Sequence, residues 1–195
     1  NYSIDIPAPP PIGQVLGTSI TSSPTPTPTL AQSPPLNVGG EGRLVSIAVI
    51  GDSMIETLGS GIPALATSLK SYYPYHKFNI KNFGHGSTTL DEAVKQLSDI
   101  ISQKPDLIII ESFAYNNYGN RQEGFDKQWL NLGAITTAIR EELPQTNILL
   151  AATIAPNSVN FSDGIKNLQL SSLEKVEKTN TIKLYLQNLV NFATS

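Results

Sequence analysis

From residue 44 onwards the chain alternates between short apolar runs and longer segments in which apolar residues recur every three or four positions. The short runs, rich in Val, Ile and Leu, predict strands of a parallel sheet; they cover residues 44–50, 76–82, 106–111 and 147–153. The periodic segments predict helices; they cover residues 57–72, with a start between 57 and 63, then 90–103, 126–143 and 165–193. This alternation predicts an α/β fold of three layers, with the parallel sheet between helices.

The first 42 residues have a different composition, dominated by Pro, Thr, Ser and Gly, with the run Pro-Thr-Pro-Thr-Pro-Thr at 24–29. Such a segment buries too little apolar surface to offset chain entropy, and its prolines favour extended polyproline II. We therefore expect residues 1–42 to be a linker or stalk and residues 43–195 to be the folded domain. Because Ser/Thr/Pro-rich stalks are typical of domains held away from a cell surface, an extracytoplasmic location is expected. The alternative is that residues 1–42 are a disordered tail that does not act as a stalk.

Composition narrows the classes of function. The net charge of −3 without a cluster of Lys and Arg argues against nucleic acid as a partner. Cysteine is absent and histidine occurs twice, so neither a disulfide nor a metal site is predicted, and no cofactor is expected. The sequence contains no run of about 18 apolar residues, so it predicts no membrane-spanning helix. The chain begins with Asn1 rather than Met, so a preceding signal peptide or anchor would provide any attachment to a membrane or cell wall. We expect a monomer.

Residues capable of chemistry follow three of the predicted strands. Gly51-Asp52-Ser53 follows the first strand, Gly84 follows the second, and Asn116 follows the third. In an open parallel sheet, ligands bind outside the carboxyl ends of the strands. Acyl transfer from a serine needs a nucleophile and donors for the oxyanion. Ser53 is the candidate nucleophile, and its amide, the Gly84 amide and the Asn116 side chain are the candidate donors. The alternative is that Asp52 and Ser53 only cap a helix.

These motifs resemble those of the SGNH (GDSL-type) hydrolases, a family of esterases and lipases, from about residue 44 to the end of the chain. The resemblance implies that Ser53 is the nucleophile and first oxyanion donor and that Gly84 is the second donor. The family's third motif, Gly-x-Asn-Asp, falls on residues 114–117, where Asn116 is kept and the flanking Gly and Asp are replaced by Ala and Asn. It also implies a flavodoxin-like sheet and metal-free ester hydrolysis through an acyl-enzyme.

The family's fourth motif, Asp-x-x-His, which carries the base and its orienting carboxylate, is missing. We therefore expect a fragment whose fold is incomplete at the carboxyl terminus and which by itself is nearly inactive, because a serine without its base is a weak nucleophile. A natural pseudoenzyme that acts as a binding module is the alternative. His85 follows Gly84 at the same edge and is expected to contact substrate rather than to act as the base. His76 begins the second strand at the opposite end.

The remaining polar and aromatic residues of the strand ends have two interpretations. We expect Asp52 to hold its turn through backbone hydrogen bonds, and Glu111 to bond a neighbouring loop rather than position substrate. Four residues in or after the third loop either line a sugar or acyl pocket or anchor the loop; they are Tyr115, Tyr118, Arg121 and Trp129. The predicted function is a serine ester hydrolase that acts on an O-acyl ester, with O-acetyl carbohydrates or cell-envelope esters as the substrate class.

Overall fold

A computed structural model of the protein describes residues 42–195, so the predicted linker over residues 1–42 lies outside the described residues apart from its last position. Four parallel strands form one sheet in the order β2-β1-β3-β4. The strands are β1 (Leu44–Gly51), β2 (Lys77–Gly84), β3 (Leu107–Glu111) and β4 (Asn147–Ala151). The predicted α/β class with a parallel sheet is confirmed.

Helices connect these strands and pack on both faces of the sheet. They are α1 (Ser53–Glu56), α2 (Pro63–Tyr72), α3 (Leu90–Ser102), α4 (Gln122–Glu142) and α5 (Ser172–Ala193). A 3-10 turn, Ala114–Asn116, lies in the loop between β3 and α4. Within residues 42–195 no helix is both long enough and apolar enough to cross a membrane.

Two predicted helix starts are wrong by several residues. Helix α5 begins at Ser172 rather than at residue 165, because Ser171 and Glu174 form a capping box that fixes its first turn. Helix α4 begins at Gln122 rather than at residue 126. Its first turn contacts α5, since the ring of Phe125 lies 4.7 Å from that of Tyr185 and its carbonyl accepts a 3.0 Å hydrogen bond from Nδ2 of Asn188; this tertiary contact does not appear in the periodicity of the sequence.

A short helix, α1, follows β1 directly and lies outside the predicted helix ranges. The Asp52 side chain caps its amino terminus, as the capping alternative expected, and Ser53 is its first residue. The predicted helix that ends at residue 72 begins at Pro63, within the predicted range of starts, where proline occupies a first-turn position that needs no backbone donor. The chain therefore turns sharply across the end of the sheet before α2 starts.

One face of the sheet, which we call the α3–α5 face, is covered by three helices. At the centre of this face the side chains of β1 and β3 are apolar and almost fully buried; they are Ala48, Ile50, Ile108 and Ile110. The helices contribute buried apolar side chains above them; these include Leu90, Leu97, Ile100, Leu132, Ile135, Ile139 and Leu189. This side holds the larger apolar core of the described residues.

The opposite face, which we call the α1–α2 face, is covered unevenly. Over β1 and β2, Ile47 and Val49 pack against Ile55 of α1 and against partly buried side chains of α2. Over β3 and β4 the cover is thinner, since Ile109 is partly buried and Leu149 is 51 % exposed. The α3–α5 face is covered over β1 and β3 and open over the first part of β2, where Asn79 and Lys81 are exposed, and the α1–α2 face is half covered.

Candidate active site

The strand ends bring the three predicted site residues to one edge of the sheet. Gly51 at the end of β1 is in register with Gly84 at the end of β2. Ser53, two residues after Gly51, begins α1, and Asn116 ends the 3-10 turn that follows β3. Because β1 lies between β2 and β3, all three residues are placed around the carboxyl end of β1.

Asp52 joins the turn after β1 to the loop after β3. Its side chain is 0 % exposed, and Oδ1 accepts a 2.8 Å hydrogen bond from the Met54 N–H at the start of α1. Its other oxygen, Oδ2, accepts a 3.1 Å hydrogen bond from Nδ2 of Asn116. The prediction that Asp52 holds its turn is confirmed, and the same carboxylate also orients Asn116. One amide hydrogen of Asn116 remains available to a ligand.

Glu111 organises the loop that carries Asn116. Its buried carboxylate accepts a 2.6 Å hydrogen bond from the Ser112 hydroxyl and a 2.8 Å hydrogen bond from the Phe113 N–H. Phe113 has a φ of 53°, in the left-handed region that a bulky residue adopts only when its surroundings hold it there. Gln128 of α4 adds a 2.9 Å hydrogen bond to the Ser112 carbonyl. The structural interpretation of Glu111 is confirmed.

Two carboxyl groups are therefore buried beside the turn that presents Ser53. Burial raises the pKa of Glu111, and the negative charge of Asp52 raises it further. Burial also raises the pKa of Asp52, although its hydrogen bonds from Met54 and Asn116 oppose that rise. A proton is thus retained on this pair to a higher pH than on ordinary exposed carboxyl groups.

Glycine at both strand ends leaves room for α1. A Cβ on Gly84 would lie 2.4 Å from the backbone nitrogen of Glu56, and a Cβ on Gly51 would lie 2.1 Å from Cγ1 of Ile55. Real side chains do not approach this closely, so any other residue displaces α1 or the strand end. The two glycines therefore set the position of α1 and, with it, the position of Ser53.

Asn82 is a residue of this site that the sequence reasoning missed. Its Oδ1 accepts a 2.7 Å hydrogen bond from the Gly84 N–H, and its Nδ2 donates to the carbonyl oxygens of Ile55 and Gly59. Asn82 thus ties the end of β2 to both ends of the segment around α1. The oxyanion role of Gly84 stays a prediction, since its N–H already has an acceptor. The sequence signal that could have identified this role is an asparagine placed two residues before the strand-end glycine, Gly84.

Neither histidine of the chain forms a hydrogen bond to Ser53. The exposed ring of His85 has Nδ1 3.1 Å from the carbonyl oxygen of Gly86. His76 precedes β2 at the opposite end of the sheet, as predicted, where it lies among aromatic rings. Within residues 42–195 no group of three or more His, Asp or Glu side chains is placed to hold a metal ion.

A cleft of about 730 Å³ opens between the loop after β3 and helix α5. Tyr115 and Asn116 line it on the loop side, while Glu177 and Lys178 line it on α5. Asn116 therefore belongs to both the cleft and the site around β1.

Of the four residues predicted to line a pocket or anchor the loop, Tyr115 lines this cleft. Tyr118 instead points to α3 and α4, from which its hydroxyl accepts two 3.1 Å hydrogen bonds. Burial, together with a carboxylate of α3, raises the pKa of Tyr118 to about 12. Trp129 packs edge-on against Phe192, and Arg121 is exposed just before α4. Tyr118 and Trp129 follow the anchoring interpretation.

Three solved structures with a similar fold are enzymes. The acetylxylan esterase Axe2 from Geobacillus stearothermophilus matches with a TM-score of 0.53 and 18 % identity, over 79 % of this chain and 74 % of its own. The lipase/acylhydrolase from Enterococcus faecalis matches with a TM-score of 0.55 and 18 % identity, over 77 % of this chain and 71 % of its own. BT4096, a gut microbial diltiazem-metabolizing enzyme, matches with a TM-score of 0.58 and 18 % identity, over 83 % of this chain and 37 % of its own.

No protein-family model matches the chain, and no curated protein matches it by sequence. At 18 % identity the likeness to these enzymes is one of fold. The described part of the chain therefore has the α/β fold shared by an acetylxylan esterase and a lipase/acylhydrolase, the fold that the resemblance to the SGNH hydrolases predicted.

Proposed function

We propose that this chain carries the nucleophile and oxyanion donors of a serine ester hydrolase of the SGNH type. The observation that carries the proposal is the 3.1 Å hydrogen bond between Asp52 and Asn116. It joins the turn that presents Ser53 to the loop that presents a side-chain amide, although Asp52 and Asn116 are 64 positions apart. A hydroxyl and an oriented donor at one strand edge are the parts that acyl transfer needs.

Each residue has a defined part in the reaction. Oγ of Ser53 forms a bond to the acyl carbon, the bond from that carbon to the alcohol oxygen breaks, and the alcohol leaves with a proton. Water then cleaves the acyl-enzyme to the free acid and restores the serine. The N–H of Ser53 and the remaining amide hydrogen of Asn116 stabilise the oxyanion, and a single donor of this kind is worth about 10²–10³ in rate.

The proton of the Ser53 hydroxyl needs a base. Because neither histidine bonds to Ser53, we assign the base to an Asp-x-x-His segment that this sequence does not contain. The same observation favours a second candidate function, a non-catalytic binding module that keeps the fold and has no base. The two functions differ in whether Ser53 accepts an acyl group when a base is supplied.

An O-acetyl ester of a carbohydrate is the proposed substrate class. Support comes from Axe2, an acetylxylan esterase of the same fold, whose solved forms include catalytic mutants with a serine or an aspartate replaced by alanine. The Pro/Thr-rich segment over residues 1–42 suits a domain that works outside the cytoplasm, on a cell-envelope or extracellular glycan. We include that location in the proposal.

The test supplies the base from solution. The chain is incubated with a fluorophosphonate reagent with and without imidazole, and the modified serine is located by mass spectrometry. We expect imidazole-dependent labelling of Ser53, loss of that labelling in Ser53→Ala, and unchanged labelling in Ser60→Ala, which removes an exposed serine. Asn116→Ala is expected to slow labelling about 100-fold.

Labelling that is equal in the wild type and in Ser53→Ala contradicts the proposed nucleophile. No labelling of Ser53 at any imidazole concentration, in a chain whose circular dichroism shows it folded, supports the binding module instead. In a longer protein that contains an Asp-x-x-His segment, acetate release that survives Ser53→Ala rejects the hydrolase assignment outright.

A further inference from the structure

The cleft between the loop after β3 and α5 is held open by fixed walls. Lys175 of α5 bonds the carboxylate of Asp163 and, at 3.2 Å, the carbonyl oxygen of Val159, so the segment before α5 is tied to the helix. On the other wall, the Tyr115 hydroxyl donates a 2.9 Å hydrogen bond to the Ile154 carbonyl. Burial and nearby carboxylates raise the pKa of Tyr115, so this hydroxyl stays protonated and remains the donor of that hydrogen bond.

The lining combines aromatic faces with free polar side chains. The rings of Tyr115 and Phe161 lie 6.5 Å apart between centroids at an interplanar angle of 31°. Around them stand Asn120, Glu177 and Lys178, all exposed. Among the contacts of residues 42–195, no hydrogen bond or ion pair occupies these three side chains. They are thus available to a ligand.

We infer that this cleft binds the carbohydrate part of the ester, an inference that rests on the proposed function. A sugar ring presents C–H groups on its faces, which pack on aromatic rings, and hydroxyl groups at its rim, which bond to amides, carboxylates and ammonium groups. The volume of about 730 Å³ lies within the range of about 300–1,000 Å³ of small-molecule sites. Asn116 lines the cleft and bonds Asp52, so the bound sugar lies against a donor of the reaction site.

A long acyl chain fits this lining less well. It would pack on the aromatic rings and on the aliphatic side chains of the lining (Leu168, Leu170 and Ile182). It would also remove water from Asn120, Glu177 and Lys178 without replacing their hydrogen bonds. Loss of water from a charged group without a new hydrogen bond is unfavourable. The balance therefore favours a hydroxylated ligand over a fatty acyl group.

The test is a binding experiment that does not need the reaction. The isotope-labelled chain is titrated with xylotetraose, cellotetraose or chitotetraose, and with decanoate as the acyl probe, and amide chemical shifts are recorded. With at least one saccharide we expect saturable shifts confined to the cleft lining, that is to residues 115–120, 161, 168–170 and 174–182. The variant Ser53→Ala is expected to bind that saccharide with unchanged affinity.

Variants then locate the contact. Glu177→Ala is expected to weaken binding about tenfold, as for loss of a hydrogen bond to a charged group. Phe161→Ala is expected to weaken it about 2–10-fold through loss of ring packing. Lys183→Ala, which removes another exposed cation of α5 that does not line the cleft, is the matched control and should bind within twofold of the wild type.

Three outcomes overturn the inference. They are the absence of saturable shifts with all three saccharides, saccharide shifts that lie elsewhere, and cleft shifts with decanoate alone. If saccharides do not bind while Ser53 is still labelled, the cleft assignment fails and the hydrolase proposal stands. If saccharides bind the cleft while Ser53 is never labelled, the hydrolase proposal fails and the cleft is the site of a binding module.

Discussion

The two faces of the sheet differ both in what covers them and in what they carry. The α3–α5 face lies under helices of 13, 21 and 22 residues, and its side chains Ile108 and Ile110 are 0 % exposed. The α1–α2 face lies under helices of 4 and 10 residues, and Leu149 on it is 51 % exposed. The candidate site belongs to this second face, because a Cβ on Gly51 would meet both Ile55 of α1 and the Cβ of Glu111.

One face of the sheet therefore contributes most of the stability, and the other carries the candidate site. The α3–α5 face holds the larger apolar core, over β1 and β3, so its burial contributes most of the hydrophobic stabilisation. On the other face, strand β3 ends in the buried carboxylate of Glu111, and α1 is a single turn held by Asp52 and by two glycines. A helix this short has little stability of its own. We therefore expect changes on this face to alter the site more than the fold.

The largest expected effect comes from truncating neighbouring residues of β3 on opposite faces. Ile110→Ala opens a cavity in the fully buried core and is expected to destabilise the chain by about 2–5 kcal/mol. Ile109→Ala, on the half-covered face, is expected to cost less than half as much because its side chain already meets solvent. Urea unfolding measures both, and equal losses would show that the two faces contribute alike.

A glycine substitution tests whether α1 depends on close packing. Gly84→Ala places a Cβ 2.4 Å from the Glu56 backbone nitrogen, so we expect a destabilisation of about 1–3 kcal/mol and slower fluorophosphonate labelling of Ser53. Gly133→Ala is the matched control, since its Cβ meets no atom within 4 Å and alanine favours the helix by about 0.5–1 kcal/mol. An unchanged labelling rate in Gly84→Ala would show that α1 does not set the position of Ser53.

A smaller effect concerns pH. Because folding raises the pKa of Glu111, the native state binds more protons than the unfolded state above the ordinary value of 4.5. Stability is therefore expected to fall as pH rises from about that value through the raised pKa. Asp52→Asn removes one cause of the rise while leaving a side chain that still caps α1.

We expect the pKa of Glu111 to fall in Asp52→Asn, as measured by carbon NMR of its carboxyl group, and the pH dependence of urea unfolding to weaken. Asp99→Asn removes one exposed negative charge of α3 and controls for net charge. A Glu111 titration that is identical in the wild type and in Asp52→Asn would mean that the two carboxyl groups do not interact.

The smallest effect is expected at the uncovered part of the α1–α2 face. Leu149→Thr replaces a half-exposed apolar side chain by another that suits a strand, so we expect a change of no more than about 0.5 kcal/mol. Ile148→Thr, its neighbour on the α3–α5 face, serves as the comparison and is expected to cost more because Ile148 packs against the larger core. A loss at Leu149 as large as that at Ile148 would show that the face is covered in solution.

The sequence alone determined the α/β class, the order of the three site motifs and the strand positions to within two residues, since β2 ends at Gly84 rather than at residue 82 and β4 ends at Ala151 rather than at residue 153. These features depend on local sequence. A continuous apolar run such as residues 44–50 indicates a strand that is covered on both faces, and a serine or asparagine directly after such a run indicates the end of the strand. Some helix boundaries were predicted correctly from a local signal in the sequence. Helix α3, for example, starts at Leu90, directly after the capping box of Thr89. The prediction failed for α4, whose first turn is held by α5.

Only the tertiary structure decided how the site is assembled. The bond from Asn116 to Asp52 spans 64 positions, and the bond from Asn82 to Ile55 spans 27, so neither follows from spacing along the chain. The cleft likewise needs a loop and a helix that meet only after folding. Such contacts depend on sheet order and on the close approach of backbones at two glycines. The sequence determined which chemical groups follow the strands. The packing of α1 against the loop after β3 determined which of these groups lie next to one another.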